Sequence, residues 1–487
     1  MTGQAPDEAA VDVVDDATAE PTDPDAGSRT EPAGDDVAEP TDPSHGELDR
    51  NRLPWERIDW VACAVLLLAS IVLVSLHVRA YPTLSPTDEL QHLDYVIKAG
   101  NFEPPRINDL VGQEAMAEAA CRSVDSPGYI GPLCGAEPYD NEDFQENGVN
   151  TAASQFPFYY TITGVAARAL TDTGILSSPV TAARMVGSLW AGAAWAVLWY
   201  VMSLFGIARL KRSIAIALFM ATPLTLFHAS TINADTALLF TGSLVLLATL
   251  QFERGRLHGA LLLGTFAGLY LVEATNVLPI AAAAGYLLLR SAMRREHTWW
   301  RWAVPLAGLA IVVALRFELA SALRDAWLPS SPRTVTATMF TGRPAEFTLD
   351  WGFILDQFGS TFTPLNRTYL PPLLRGDSTL IFLRLTDWLA IAAMLSIALT
   401  PSKIDRRVVD LARITVPVLL VAGPFYSWTF AYFSQLEYPA QGRFGLPLFA
   451  FMVVIVAASL KSRVATVVVG SVAAISMFNT VFLVLTP

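Results

Sequence analysis

The stretch LSPTDELQHLDY, Leu84 to Tyr95, gathers Asp88, Glu89, His92 and Asp94 within about two helical turns. Carboxylates beside an imidazole are the groups from which proton-transfer sites are built. One acid takes or orients the proton of an attacking hydroxyl, and a histidine a turn away hydrogen-bonds an acid or a phosphate. Asp88 and Glu89 are therefore candidate catalytic carboxylates, and His92 a candidate substrate-binding group. The same residues also fit a structural role. Ser85-Pro86-Thr87-Asp88 reads as a helix start, with Ser85 as N-cap and Pro86 at the first position, and the acids then answer the helix dipole. Leu90, Leu93 and Ile97 form an apolar stripe that would lay this helix along a membrane surface. A helix start favours the ionised carboxylate, so Asp88 there is better suited to polarising a hydroxyl than to stripping its proton.

Further ionisable residues stand near the ends of apolar runs. They are Asp235 in STINADTA, Glu273, Arg316 beside Glu318, Arg384 three residues before Asp387, and Arg443 in QLEYPAQGRFGLPL. Such groups are costly at membrane depth and line a cavity or find a partner. Arg443 is the first choice for binding a phosphate, because Gly442 beside it lets a ligand approach, and Arg316 and Arg384 follow. Each has a bland alternative: Arg384 and Asp387 can neutralise each other, and Arg316 can snorkel outward. His228 and Arg184, on helix flanks, read as structural.

The elements that must position these residues are membrane spans. The chain has 487 residues, of which 53% are hydrophobic and 16% charged, and its uncharged runs of roughly 17 to 24 residues match the bilayer core. Spans are expected at 59–77, 183–207, 213–231, 235–252, 257–273, 275–290, 302–320, 379–399, 412–432, 444–460 and 464–485. The fold class is thus an all-α polytopic membrane protein with about eleven transmembrane helices. Alternate connections carry Arg209, Lys211 and Arg212, then Arg254 and Arg256, Arg290, Arg294 and Arg295, Lys403, Arg406 and Arg407, and Lys461 and Arg463. The positive-inside rule puts those connections and the N-terminus in the cytoplasm and the C-terminus outside. Counting 155–170 as a span would reverse this order, so QFPFYYTITGVAARAL reads as a helix at the outer surface, its aromatic residues suited to the interface. Two long extracytoplasmic loops, about 78–182 and 321–378, remain to carry function.

Residues 1–50 hold fifteen Asp/Glu against two Arg, net −13, which leaves the rest of the chain near +1. This stretch reads as a disordered acidic cytoplasmic tail before a transmembrane domain at 51–487. Nothing in the charge pattern supports binding to nucleic acid; the partner it does imply is the lipid bilayer. Cys121 and Cys134 bracket CRSVDSPGYIGPLC in the first long loop. Outside the cytoplasm a disulfide there is expected, and the spacing fits no common zinc pattern. Cys63, inside the first span, needs no function.

The order of features resembles the C-type (GT-C fold) integral membrane glycosyltransferases. An acidic pair, Asp88-Glu89, follows an inside-to-outside first span. PFYY at 157–160 resembles a PPLYY-like segment, Arg184 resembles the Arg opening their second span, and NAD at 233–235 looks like their acid at the end of the third. Within that group, DExxH at 88–92 with QGRFGLPL at 441–448 looks like a bacterial family of membrane proteins of unassigned function carrying PDExxH and QGRYxxPL. Two departures stand out: PTDE for PPDE, and QFPFYY for HPPLYY, which removes a basic contact that some members have.

The resemblance implies an inverting transfer of a sugar from a polyprenyl-phosphate donor to an acceptor hydroxyl. The acceptor would be a glycan, glycolipid or protein in the cell envelope, and the reaction would occur on the outer face of the plasma membrane. Asp88 is then the base, Glu89 and His92 support it, and Arg443, Arg316 and Arg384 are candidates for the leaving phosphate. Asp235 and Tyr159 are carried over as binding residues. No cofactor is required by such donors, though two adjacent acids leave room for a divalent metal. Other functional classes stay open: a transporter or flippase of a lipid-linked saccharide, and a non-enzymatic scaffold of an envelope-polymer complex. Transporters place charges near the midplane and use repeated halves, whereas here the charges cluster at span ends and no internal repeat is evident.

Overall fold

The computed structural model describes residues 55–86, 88–125, 129–220, 222–295, 297–315, 350–361, 377–400, 404–434, 439–440 and 442–485. The acidic tail, Arg316 and most of the second long loop lie outside these residues. The described chain is almost wholly helical, with two isolated bridges, Leu84–Val124 and Leu110–Val149.

Helix α1 (Arg57–Ala80) runs beside α5 (Pro179–Leu204). Between them the chain folds into a cap of α2 (Glu89–Gly100), α3 (Gln113–Arg122), three short 3-10 turns and α4 (Phe158–Asp172). The rest of the bundle is α6 (Arg209–Met220), α7 (Pro223–Ser230), α8 (Leu238–Glu253), α9 (Gly259–Val272), α10 (Val277–Met293) and α11 (Trp300–Ala314). It continues with α12 (Trp351–Leu355), α13 (Asp377–Leu399), α14 (Arg406–Ser434), α15 (Phe449–Ser459) and α16 (Arg463–Phe478).

Among the described residues, eight segments are long and apolar enough to cross a membrane: Arg57–Ala80, Pro179–Leu204, Ala234–Glu253, Ala274–Met293, Ile381–Leu399, Arg406–Thr429, Gly442–Ser459 and Arg463–Phe482. The pair α6 and α7 makes a ninth if taken as one span bent by 72°. Helix α9 is apolar but has 14 residues, about 21 Å of rise against a hydrocarbon core of about 30 Å, and α11 is an apolar helix described over Trp300–Ala314. Each of the eleven expected segments contains helix among the described residues, while length singles out eight as straight crossings.

The basic connections do meet at one end. Buried Asp59 accepts from Arg209 Nη2 at 2.9 Å and from Trp199 Nε1 at 3.0 Å. At the same end Arg254 and Arg407 both donate to the Leu204 carbonyl. Glu253 accepts from Arg290 and Arg294, each at 2.9 Å, and Arg290 also pairs with Asp410 at 3.0 Å.

The cap has its own apolar core, in which Leu84, Leu90, Leu93, Val96, Tyr159 and Tyr160 pack with Val180, Val186 and Ile232. Helix α2 is therefore buried from Glu89 to Val96 rather than lying along the membrane. Its apolar stripe faces α4, and its polar side is covered by the 145–150 segment through Gln91–Gln145 and Asp94–Asn150 hydrogen bonds. The membrane-facing pattern belongs instead to α4, where Phe158, Ile162 and Val165 are exposed along one side. A disulfide joins Cys121 to Cys134 within the cap.

Helices α2 and α4 touch backbone to backbone. A Cβ at Gly164 would come 2.2 Å from the Val96 carbonyl oxygen. Gly164→Ala must push the helices apart, and overpacking of this kind costs about 1–3 kcal/mol. The expected result is a thermal unfolding midpoint lowered by several degrees, read by scanning fluorimetry; an unchanged midpoint would contradict the tight crossing.

Candidate functional site

The helix start differs from the sequence expectation. Ser85 is not the N-cap: α2 begins at Glu89, and Asp88 precedes it with φ 56° and ψ 18°, making no side-chain cap. Glu89 Oε2 instead reaches back to accept the Ser85 backbone N–H at 2.6 Å. A non-glycine residue in the left-handed region is uncommon and stores strain, and such residues cluster at functional sites. The carboxylate of Asp88 is exposed, whereas Glu89, Gln91, His92 and Asp94 are buried.

The two neighbouring acids therefore do different things. Glu89 is held by Arg184 through Nε to Oε1 and Nη2 to Oε2, each at 2.8 Å. Its oxygens also accept the backbone N–H of Ser85 and of Ile232, the latter at 2.9 Å. One carboxylate thus fastens α2, the start of α5 and the Ile232 strand of chain together. Its oxygens are taken, so Asp88 and Glu89 do not form a joint chelate for a divalent ion. Asp94 is similarly committed, to Lys98 at 2.7 Å, Asn150 at 2.7 Å and the Gly112 N–H at 2.8 Å.

His92 points toward the site from one helical turn further on. Its Nδ1 lies 2.8 Å from the Tyr160 hydroxyl, and that hydroxyl donates to Gln155 Oε1. With the phenol proton spent on Gln155, Nδ1–H is the donor to Tyr160 and Nε2 is left as the acceptor end. Tyr160 stacks on Tyr95 with centroids 3.9 Å apart, which fixes its hydroxyl. Burial, and after it the charges of Asp88, Asp235, Arg443 and Glu89, bear on the ionisation of His92.

Asp235 and Arg443 arrive from the bundle. Asn233 caps the 3-10 turn Ala234–Ala237 through its side chain, accepting from the Thr236 N–H at 3.1 Å, and so presents Asp235. Arg443 sits in the 3-10 segment Gly442–Leu448, which lies directly on α8. A Cβ at Gly242 would meet the Pro447 carbonyl oxygen at 2.4 Å, so only glycine lets that backbone come so close. Arg443 Nη1 is 3.9 Å from Asp235 Oδ2, with both side chains 23% exposed. They form a loose pair at an opening.

Asp235 and Arg443 thus pair directly, and their charges, with that of Asp88, reach His92. Tyr159 is behind them, buried and edge-on to Tyr160 at 5.1 Å; burial pushes its pKa up to about 12. It is a wall, not a ligand-facing group. Arg384 is exposed on α13 while Asp387 is buried, and none of the described contacts joins Arg384 to the cluster around His92.

Sequence reasoning missed Glu146. Gln145, its neighbour, donates to the Pro86 carbonyl, and burial followed by the Asp88 charge pushes the Glu146 carboxyl up. Glu146 and Asn147 both have positive φ, at 59° and 50°. The Glu-Asn-Gly run was the available signal, since Asn and Gly favour that region.

Burial lowers the pKa of His92 below 6.5, against the opposing pull of Asp88 and Asp235. The folded protein thus binds fewer protons here than the unfolded chain, and stability falls as pH drops below about 6.5. His92→Gln is expected to flatten that part of the stability–pH curve, measured as unfolding midpoint between pH 7.5 and 5. An unchanged slope would show that His92 does not contribute.

Comparison with protein-family models, with characterised proteins and with solved structures returns no match to this chain.

Proposed function

We propose that the chain is an inverting glycosyltransferase of the C-type membrane class, with eleven spans, using a polyprenyl-phosphate sugar at the outer face of the plasma membrane. The observation that carries this reading is the partly exposed Arg443–Asp235 pair, 3.9 Å apart, whose charges act with that of Asp88 on the buried His92. The site offers an exposed acid, a neutral imidazole and a partly exposed guanidinium, which are the groups a phosphate-leaving transfer needs.

In that reaction the acceptor oxygen attacks the anomeric carbon from the face opposite the phosphate. A new C–O bond forms, the C–O bond to phosphate breaks, and the phosphate keeps the electron pair. Asp88 takes the acceptor proton, and His92 accepts a hydrogen bond at Nε2 from a sugar or acceptor hydroxyl. Arg443 meets the charge growing on the phosphate, where fixed positive charge acts most strongly. Asp235 keeps Arg443 oriented without enclosing it, and Glu89 acts through position alone.

The test is purified full-length protein in lipid nanodiscs, given a panel of polyprenyl-phosphate hexoses and pentoses with an envelope-lipid acceptor extract. Release of polyprenyl phosphate together with a new glycosidic bond is expected, and loss of both in Arg443→Ala. Movement of labelled lipid across vesicles with no bond formed would replace the transferase with a transporter.

A further inference from the structure

His228 read as structural in the sequence, yet it does no structural work that its burial would explain. It is 5% exposed, and neither ring nitrogen has a hydrogen-bond partner of good geometry, although the Asn233 side chain is adjacent. Buried polar groups in native folds are satisfied, and each exception calls for a cause. Arg443 Nε is a second exception. Both residues face the same carboxylate. His228 Nδ1 lies 3.8 Å and Arg443 Nη1 3.9 Å from Asp235 Oδ2. These distances exceed a direct hydrogen bond and leave the donors available to an oxygen brought by a ligand.

A cavity begins at this point. It is a small cleft open at its mouth, and His228, Asp235 and Thr236 line its polar end. Leu239, Leu446 and Phe449 line the rest. The Thr236 hydroxyl is already spent on the His228 and Thr231 carbonyls. The polar end therefore offers the imidazole, with Arg443 reaching the same Asp235 carboxylate, and the remaining wall offers hydrocarbon.

We infer that His228 is a ligand-binding residue: it donates to a phosphate-ester oxygen whose charge Arg443 meets, while the ester's hydrocarbon lies against Leu239, Leu446 and Phe449. The ligand class is a phosphate ester of a long apolar alcohol. This assignment rests on the proposed lipid-phosphate donor and adds a residue and a wall to it.

The experiment measures binding of farnesyl phosphate, farnesol and inorganic phosphate to the purified full-length protein in nanodiscs. His228→Ala is expected to weaken farnesyl phosphate by about tenfold or more and to leave farnesol unchanged, with His228→Gln, which keeps a donor, recovering much of the loss. Leu446→Trp, which fills the cavity, is expected to weaken farnesyl phosphate and farnesol but not inorganic phosphate. Ligand-free thermal unfolding of His228→Ala should match or exceed the parent, because an unsatisfied polar group is gone; a structural histidine would lower it. Parent-like farnesyl phosphate binding by His228→Ala, or a fall in ligand-free stability that His228→Gln repairs without restoring binding, would overturn the assignment. If the parent forms no glycosidic bond but still binds farnesyl phosphate through His228, the transferase fails and the phosphate-ester site stands. If transfer is found and His228→Ala leaves both binding and the donor KM untouched, only the His228 assignment fails.

Discussion

Asp88→Asn is expected to abolish sugar transfer, a loss of about 10²–10⁴-fold for a general base, while leaving the protein at least as stable as the parent. The two halves of this expectation come from one geometry. Asp88 has φ 56° and makes no side-chain cap to α2, and its carboxylate is exposed. Among the described residues no hydrogen bond or ion pair uses that carboxylate, and Asn adopts the left-handed region at least as readily. Asp88→Gly goes further, since glycine meets no Cβ penalty there and the strain of about 1 kcal/mol disappears. The Gly variant should therefore unfold at a higher temperature than the parent and still be inactive. Were the residue a helix cap, removing its oxygen would cost stability instead. Thermal unfolding in nanodiscs together with the transfer assay separates the two. A destabilised variant with full activity would sink the catalytic role, and strain kept at a residue that only harms stability is otherwise hard to explain.

How far the sequence could reach depends on which physical signal each residue leaves. Hydropathy is local, so α1, α5 and the other long apolar helices are legible from composition, and the basic connections marked one end of the bundle correctly. The length of α9 was harder, because its apolar run extends past the residues that are helical. The error at Ser85 was a competition between two caps: serine, proline and acid favour a start at Ser85, but Glu89 reaches back to the Ser85 N–H and moves the start to itself. The burial of α2 was not legible at all, since its covering residues, Asn150 and Gln145, come from the far side of a long loop. The same limit hid Glu146 and the open valence of His228. Asp235 and Arg443 were each visible as costly charges, but their meeting depends on Gly242, a residue with no chemistry of its own.

Glu89→Ala is expected to cost the fold about 3–5 kcal/mol, the penalty for leaving one charge of a buried pair uncompensated. Arg184 and Glu89 are essentially inaccessible, at 0% and 1% side-chain exposure, so neither water nor salt can replace the lost partner. The remaining guanidinium donors are held by the carbonyls of Tyr81 at 2.7 Å and Thr83 at 2.6 Å, which keeps Arg184 from swinging outward. Without Glu89 the Ser85 and Ile232 N–H groups also lose their acceptor, and the turn that sets the backbone of Asp88 is released. Activity should then vanish with the fold, which by itself would mimic a catalytic role. The double variant Glu89→Leu/Arg184→Met resolves this, because replacing both partners by apolar groups of similar volume removes the stranded charge. Its unfolding midpoint should return most of the way to the parent, with the difference from the sum of the singles giving a strong positive coupling. Transfer recovered alongside stability would mark Glu89 as a positioning residue; a stable double variant with no detectable transfer would instead place its carboxylate in the chemistry beside Asp88.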